Sequence, residues 1–459
     1  MQPLIVLEFN ELCPPLLDKW MNSGDLPNFR ALHDSSAIFT TEPDTDAPHE
    51  LEPWIQWYSI HTGLPYSEHK VFHLTDGPTA GHVNIWQVLN KAGHTTGNIS
   101  SMNAATKVGD GSFAMPDPWC TTESSTPASL MPLQHFIQKQ VQEYTNAESR
   151  NGLATMLSFV RSLVQNGLQP QTAISLARQL GSEKISNGKT GWRRAIALDA
   201  ILADVFRHHW LKTRPAYATF FLNSTAHYQH AYWRHMEPDA FVNPAPPAEV
   251  SIYENAILAG YKNMDSIIGR FMEFERDGAQ LVLMTALSQQ PFLKYEATGG
   301  QKFYRARNID VFLSELGLVP SDIRPVMTHQ YRVDFGTPEA LSKAYDILAS
   351  IALDGEQVLD LEQEENGLRI GCRLNTQQPA DAQMIVNGQN RPFFEVFYQI
   401  EETKSGCHHP DGVLWVKTGN HKVHSEKVSI LDWFPTVLDH FGIQAEKQMH
   451  GRSLQSFLT

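Results

Sequence analysis

Apolar residues recur along this chain in two rhythms. Apolar runs at 4–7, 216–222 and 279–284, the second interrupted only by Thr219 and the third only by Gln280, suit strands covered on both faces, and each is far shorter than a membrane span. Between them, apolar positions spaced three and four apart predict helices over 14–21, 85–92, 192–210, 253–275 and 428–441, with further strands at 37–40, 95–99 and 412–417. Alternation of this kind is the signature of an α/β fold built on a mostly parallel sheet. In such sheets ligands sit beyond the carboxyl ends of the strands. Polar side chains gather at two of those ends: Glu8, Asn10 and Glu11 after the first run, and Asn223 to His230 after the second. The exit of the third run, Thr285 to Gln289, carries no charge.

Two stretches break the rhythm. Residues 101–190 hold a polar Ser/Thr/Pro segment followed by helical patterns over 133–144 and 153–180, which predicts a helical insertion. Residues 324–406 mix short strand patterns with one helix over 337–351, which predicts a small α+β cap subdomain. The expected layout is therefore an α/β core over 1–323 and 407–459, carrying the insertion at about 101–190, with the cap at 324–406.

Composition narrows the partners. Thirty-six Lys and Arg against 50 Asp and Glu leave a formal charge of −14, with no basic stripe interleaved with aromatics. That balance disfavours nucleic acid and anionic membrane as partners. The first hydrophobic run is interrupted by Glu8 and has no basic lead-in, so no export signal is read and a cytoplasmic location is expected. The four cysteines Cys13, Cys120, Cys372 and Cys407 form no CxxC pair, and only Cys407, beside His408 and His409, has ligand-like neighbours.

The motifs in order resemble the alkaline phosphatase superfamily, especially its type I phosphodiesterase and nucleotide pyrophosphatase branch. The likeness rests on Asn10-Glu11-Leu12, Leu26-Pro27-Asn28, Thr62-Gly63-Leu64-Pro65 with His69, Ile85-Trp86 before Ala92-Gly93, and His230-Ala231-Tyr232-Trp233-Arg234. Near the end come His408-His409-Pro410-Asp411-Gly412, Ile430 to Thr436, and Gly451-Arg452-Ser453-Leu454. The resemblance implies a three-layer α/β/α core, an anionic small-molecule substrate and a two-metal centre held by carboxylates and histidines, with a Thr or Ser nucleophile. This chain departs from that pattern. Asn10 stands at the first metal-binding aspartate, Ala226 at another, and Ala286-Leu287 at the Asp-His pair, while His230 and His408, or His409, are kept. Pro53 falls at the nucleophile, and the nearest hydroxyls, Thr45 and Ser59, lie several residues away.

The residues then admit sharp and bland readings. His230 and His408 with a substitute carboxylate, Glu52, Glu50 or Glu8, would hold one metal at most, zinc or manganese; otherwise they are imidazoles hydrogen-bonded in a polar pocket, with no metal. Glu8 is either a catalytic acid or base or a structural carboxylate paired with an arginine such as Arg234. Glu50, Glu52, Asn10 and His227 complete a pocket rich in acid and imidazole, suited to proton transfer. Trp54, Trp57 and Tyr58 read as core or as a sugar-stacking wall. His73, His94, His421, His424, His440 and His450 read as surface or structural residues. Three functions follow: an enzyme with a rebuilt site acting on a phosphate ester, sulfate ester or related anion without the two-metal centre; a conventional metal-dependent phosphodiesterase; or an inactive relative that binds a ligand or partner.

Overall fold

The computed structural model describes residues 2–45, 51–142, 153–326, 329–364, 367–400, 403–444 and 449–457. Its central sheet contains strands β1 (Leu4–Phe9), β2 (Ser36–Glu42), β3 (Thr96–Ile99), β4 (Phe113–Met115), β5 (Tyr217–Leu222) and β6 (Gln280–Thr285). A hairpin-like pair, β7 (Ser288–Pro291) and β8 (Gly406–His409), stands at its rim, and β9 (Gly412–Lys417) re-enters the sheet. The order across the sheet is β2-β9-β6-β1-β5-β3-β4, with Lys422–Val423 and Val428–Ser429 lying beside β2. β1 pairs in parallel with β5 and β6, and β9 runs antiparallel to both β6 and β2.

β1 is buried along its whole length because helices cover both faces of the sheet. Its odd-numbered side chains Ile5, Leu7 and Phe9 pack on one face with α1 (Pro14–Asn22), α2 (Pro27–His33), α5 (Arg194–Thr213) and α7 (Ala256–Phe271). Leu4 and Val6 pack on the other with α3 (Pro53–Thr62), α4 (Ile85–Lys91) and α8 (Trp433–His440). α6 (Ser224–Met236) leaves the end of β5 and packs on α7 through Tyr228 and Tyr261. The architecture is a three-layer α/β/α core: the alternation predicts its α/β class, and the three layers are those the family resemblance implies.

The differences from the sequence reading are local. The expected helix over 253–275 is α7 running on into a 3-10 turn, Met272–Asp277, with a separate short helix Pro247–Tyr253 before it, and the one over 153–180 divides into Leu153–Gln165 and Pro170–Ile185, Pro170 supplying the start of the second. β4 carries too short an apolar run to be read from sequence. Within the region expected to carry short strands, 393–399 holds a short helix, Phe393–Val396, followed by the strand Phe397–Gln399. A separate apolar core runs from Tyr304 through Val333 and Leu348 to Phe397, so the elements that pack together around the cap begin ahead of residue 324. Among the described residues no helix is long and apolar enough to cross a membrane.

Candidate metal centre

The site forms at the carboxyl end of β1, where the chain turns sharply. Glu11 has φ 58, a left-handed backbone that costs a side-chain-bearing residue on the order of 1 kcal/mol. Neighbouring elements hold it there. The Glu11 amide donates to Thr285 Oγ1 at 2.8 Å, and Gln229 Nε2 donates to the Glu11 carbonyl at 2.7 Å. Tyr261 in turn donates to Gln229 Oε1 at 2.9 Å. The strain turns the Glu11 side chain away from the strand and toward two histidines from other elements.

His230, on α6, places Nε2 3.2 Å from Glu11 Oε2, and His408, on β8, places Nε2 3.6 Å from the same oxygen. One donor atom from each of the three lies within 4.8 Å of the others. His230 Nδ1 donates to the Gly406 carbonyl at 3.1 Å; a carbonyl only accepts, so the proton of the neutral ring sits on Nδ1 and Nε2 turns its lone pair toward Glu11. The His408 ring is held by the Leu51 backbone and by Glu52, whose Oε2 lies 3.4 Å from His408 Nδ1. Two imidazoles thus aim Nε2 at one buried carboxylate oxygen. That arrangement is repulsive between bare acceptors and is relieved by a proton or a cation among them.

Electrostatics prepare the ligand form. Burial opposes charge on Glu11 most strongly, but the positive charge of His408 and His230 in their protonated forms, with the hydrogen bonds that protonated His230 Nε2 and the Gln289 amide donate, prevails, and its carboxyl falls to about 2. Burial lowers His408 to about 4 against the pull of Glu11. At pH 7 Glu11 is therefore ionised and His408 neutral, the states a metal requires. Burial pushes Glu52 up to about 7; Lys404 and His230 oppose it and Glu11 adds to it. With bonds of about 2.0–2.1 Å, donors around a tetrahedral zinc stand roughly 3.3 Å apart, close to the separations at Glu11. Two histidines and one glutamate are also a known catalytic zinc set with an open fourth position. The donors fit a single divalent metal.

Other expected site residues lie nearby in different roles. Asn10 orients the site: its Nδ2 donates to Glu11 Oε1 at 2.9 Å and to Asn223 Oδ1 at 2.8 Å, while Trp57 Nε1 donates to its Oδ1 at 2.9 Å. Glu8 points to the α3 face of β1, one turn of the pleat before Asn10, where His61 Nε2 lies 3.0 Å from Oε1 and Ser101 donates to Oε2 at 2.7 Å. Its partner is thus His61 and not Arg234, which pairs with Glu296 at 2.7 Å. The α3 turn that brings His61 under β1 was not visible from sequence spacing. His227 sits in the first turn of α6 with its ring against Tyr228 and outside the donor cluster. His409 Nδ1 accepts from the Asp411 amide at 3.2 Å, leaving His408 as the histidine of the site. Glu50 lies outside the described residues.

The hydroxyls near the expected nucleophile are occupied. Ser59 is fully buried and donates to Asp44 Oδ2 at 3.2 Å. His69 Nδ1 accepts from the Val71 amide at 3.0 Å, so His69 Nε2 carries the proton and donates to Ser59 Oγ at 3.0 Å. The histidine faces Ser59 as a donor and cannot take its proton. Thr45 Oγ1 accepts from Gln56 Nε2 at 2.8 Å. Among the described residues, no hydroxyl is hydrogen-bonded to the side chains of Glu11, Glu52, His230 or His408. Trp57 is core, and the Trp54 indole donates to the Phe72 carbonyl at 2.8 Å. Cys407 lies with Sγ 3.8 Å from the Pro291 carbonyl, apart from the donor group.

Sequence reasoning places Glu11 with Glu8 and Asn10 at the strand end where a site is expected but gives it no ligand role, and it passes over Gln289. Strand alternation assigns Glu11 to neither ligand face, and only its left-handed turn aims it inward. Gln289 Nε2 donates to Glu11 Oε2 and, at 3.1 Å, to the Ala226 carbonyl. Ala226, Ala286 and Leu287 are buried and apolar.

No protein-family model matches the chain, and no curated protein sequence matches it. Among solved structures it is similar to murine ectonucleotide pyrophosphatase/phosphodiesterase 5, an inactive form in complex with AMP, at 10% identity, 100% and 99% coverage of the two chains and a TM-score of 0.42. It is similar to phosphonoacetate hydrolase from Sinorhizobium meliloti at 14% identity, 95% coverage of each chain and a TM-score of 0.37. A third similar structure is phosphonate monoester hydrolase from Silicibacter pomeroyi, at 12% identity, covering 100% of this chain and 77% of that one with a TM-score of 0.43.

Proposed function

We propose that this chain is a hydrolase of anionic esters, phosphate, sulfate or a related group, that works with one divalent metal held by Glu11, His230 and His408. The observation that carries this reading is the approach of two imidazole Nε2 atoms to the single oxygen Glu11 Oε2, at 3.2 and 3.6 Å, inside the fold. When bound, zinc or manganese would supply Lewis-acid polarisation of an ester oxygen. Asn10 and Gln289 hold the Glu11 carboxylate, and the Gly406 carbonyl and Glu52 fix the two rings. Glu52, at the start of α3, is placed to exchange a proton at Oε2 with a water or leaving group beside the cluster. Lys404 puts positive charge near Glu52 and His408, which suits an anionic substrate. The motif order in the sequence supports the ester class.

One metal has more support than two, because Ala226, Ala286 and Leu287 offer no donor and the Gln289 amide occupies the space between Glu11 and Ala226. Elemental analysis of protein stripped and reloaded with zinc or manganese tests the reading, together with turnover of aryl phosphate, phosphodiester and sulfate esters. Glu11→Gln is expected to hold one metal equivalent fewer than wild type and to lose turnover with its circular dichroism unchanged. Equal metal content in both proteins, or chelator-insensitive turnover without metal, would overturn it. Metal loss without turnover of any ester in either protein would favour a ligand-binding role.

A further inference from the structure

At the opposite end of the central sheet, helix α2 finishes against the chain that follows β9. Lys417 of β9 pairs with Ser36 of β2 there, while Gly412 and Thr41 pair at the end that carries Glu11. The six residues of β9 span about 17 Å between the two ends. The amides of Thr418 and Gly419 both donate to the Ser35 carbonyl, at 3.1 and 2.9 Å, so the two segments are already held together before any side chain acts.

Across that junction His33, Asp34 and His421 each bring one donor atom to within 4.8 Å of the others. The rings are fixed. His421 Nδ1 donates to the His33 carbonyl at 3.0 Å, which puts its proton on Nδ1 and leaves the Nε2 lone pair free for a ligand bond. His33 stands edge-on to Trp415, with ring centroids 5.0 Å apart, and its Nδ1 lies 3.0 Å from Asp34 Oδ1. The two imidazole centroids are 4.8 Å apart with a 42° tilt, so the rings are not stacked face to face and their edges can converge. Arg30 Nη1, 3.6 Å from Asp34 Oδ1, is the one cation paired with the group among the described residues, and it tempers the carboxylate's charge.

We infer that His33, Asp34 and His421 form a second metal site, for a zinc-class transition-metal ion, that clasps the end of α2 to the loop after β9. Two imidazoles and one carboxylate select zinc, nickel or copper over calcium and magnesium, which prefer all-oxygen shells. The segments are pre-placed by backbone hydrogen bonds, so little ordering opposes binding. The sequence reading that set His421 among surface residues saw only its isolation along the chain; β9 brings it to His33, 388 positions away.

The site is independent of the Glu11 centre, and its test separates the two. Zinc binding to stripped wild type, His421→Ala, His421→Gln, His33→Ala and Glu11→Gln is measured by equilibrium dialysis with elemental analysis, and thermal unfolding of each is followed with and without zinc. Circular dichroism of the stripped proteins checks the fold. The His33 and His421 variants are expected to bind one equivalent fewer than wild type and to lose part of the zinc-induced rise in unfolding temperature. Glu11→Gln must keep the His421-dependent equivalent. Asp34→Asn is expected to weaken that equivalent about tenfold. Unchanged zinc stoichiometry and thermal response in His421→Gln and His33→Ala would overturn the inference, whatever the fate of the Glu11 equivalent.

Discussion

The pair formed by Glu8 and His61 decides whether the first polar residue of β1 is structural. Both are almost fully buried, at 1% exposure each, with His61 Nε2 3.0 Å from Glu8 Oε1 and Ser101 Oγ 2.7 Å from Oε2. Replacing His61 with leucine keeps most of the volume between Trp57 and Trp86, whose rings lie 5.7 and 4.8 Å away, so the loss is chiefly polar. Glu8 Oε1 is then buried without a partner. An unmet neutral hydrogen bond costs about 1–3 kcal/mol and a broken buried ion pair about 3–5, so the two cases meet near 3 kcal/mol. Urea unfolding followed by tryptophan fluorescence and far-ultraviolet circular dichroism reads the loss, with the separate core around Tyr304–Phe397 resolved as its own transition if it unfolds apart. The double variant Glu8→Leu/His61→Leu removes both polar partners and is expected to recover most of that loss, because a buried pair exchanged for apolar side chains is near neutral. A loss below about 1 kcal/mol in His61→Leu, or a double variant as damaged as the sum of the singles, would refute the structural assignment. So would full loss of turnover in Glu8→Gln with stability unchanged.

Three further outcomes bear on the metal centre. Asn10→Ala frees the Glu11 carboxylate from its 2.9 Å donor and is expected to weaken metal binding about 10- to 100-fold, read by competition with a chelating dye. Glu52→Gln should reduce kcat by about 10²–10⁴ while the Glu11-dependent metal equivalent is retained; burial raises the Glu52 carboxyl, so a wild-type rate that needs it ionised falls as pH drops below about 7, and that limb should vanish in the variant. A dication beside Glu11 moves the limb to lower pH, and a limb above pH 8 would contradict the assignment. Ser59→Ala should leave turnover within a few-fold of wild type, since His69 faces Ser59 as a donor; a loss of 10³ or more would return Ser59 to consideration as nucleophile.

The hydrophobic rhythm by itself determined the architecture. Runs such as 4–7 and 281–284 have no polar position to turn toward water, so they must be central strands, and the amphipathic segments between them must cover both faces. The family resemblance, carried by the order of motifs, marked His230 and His408 as retained histidines and Glu52 as a substitute donor; the structure puts them in the helix after β5, on the rim strand β8 and at the start of α3. What the sequence could not decide was which carboxylate they meet. Alternation along β1 cannot register that the backbone turns left-handed at Glu11, a conformation held by Thr285 and Gln229 from elements more than 200 residues away. Nor could it register that Glu8 finds His61 beneath the sheet or that His69 turns its proton toward Ser59. Periodicity reports which face of an element is buried; partner and proton position depend on contacts between elements, and those exist only once the sheet has assembled.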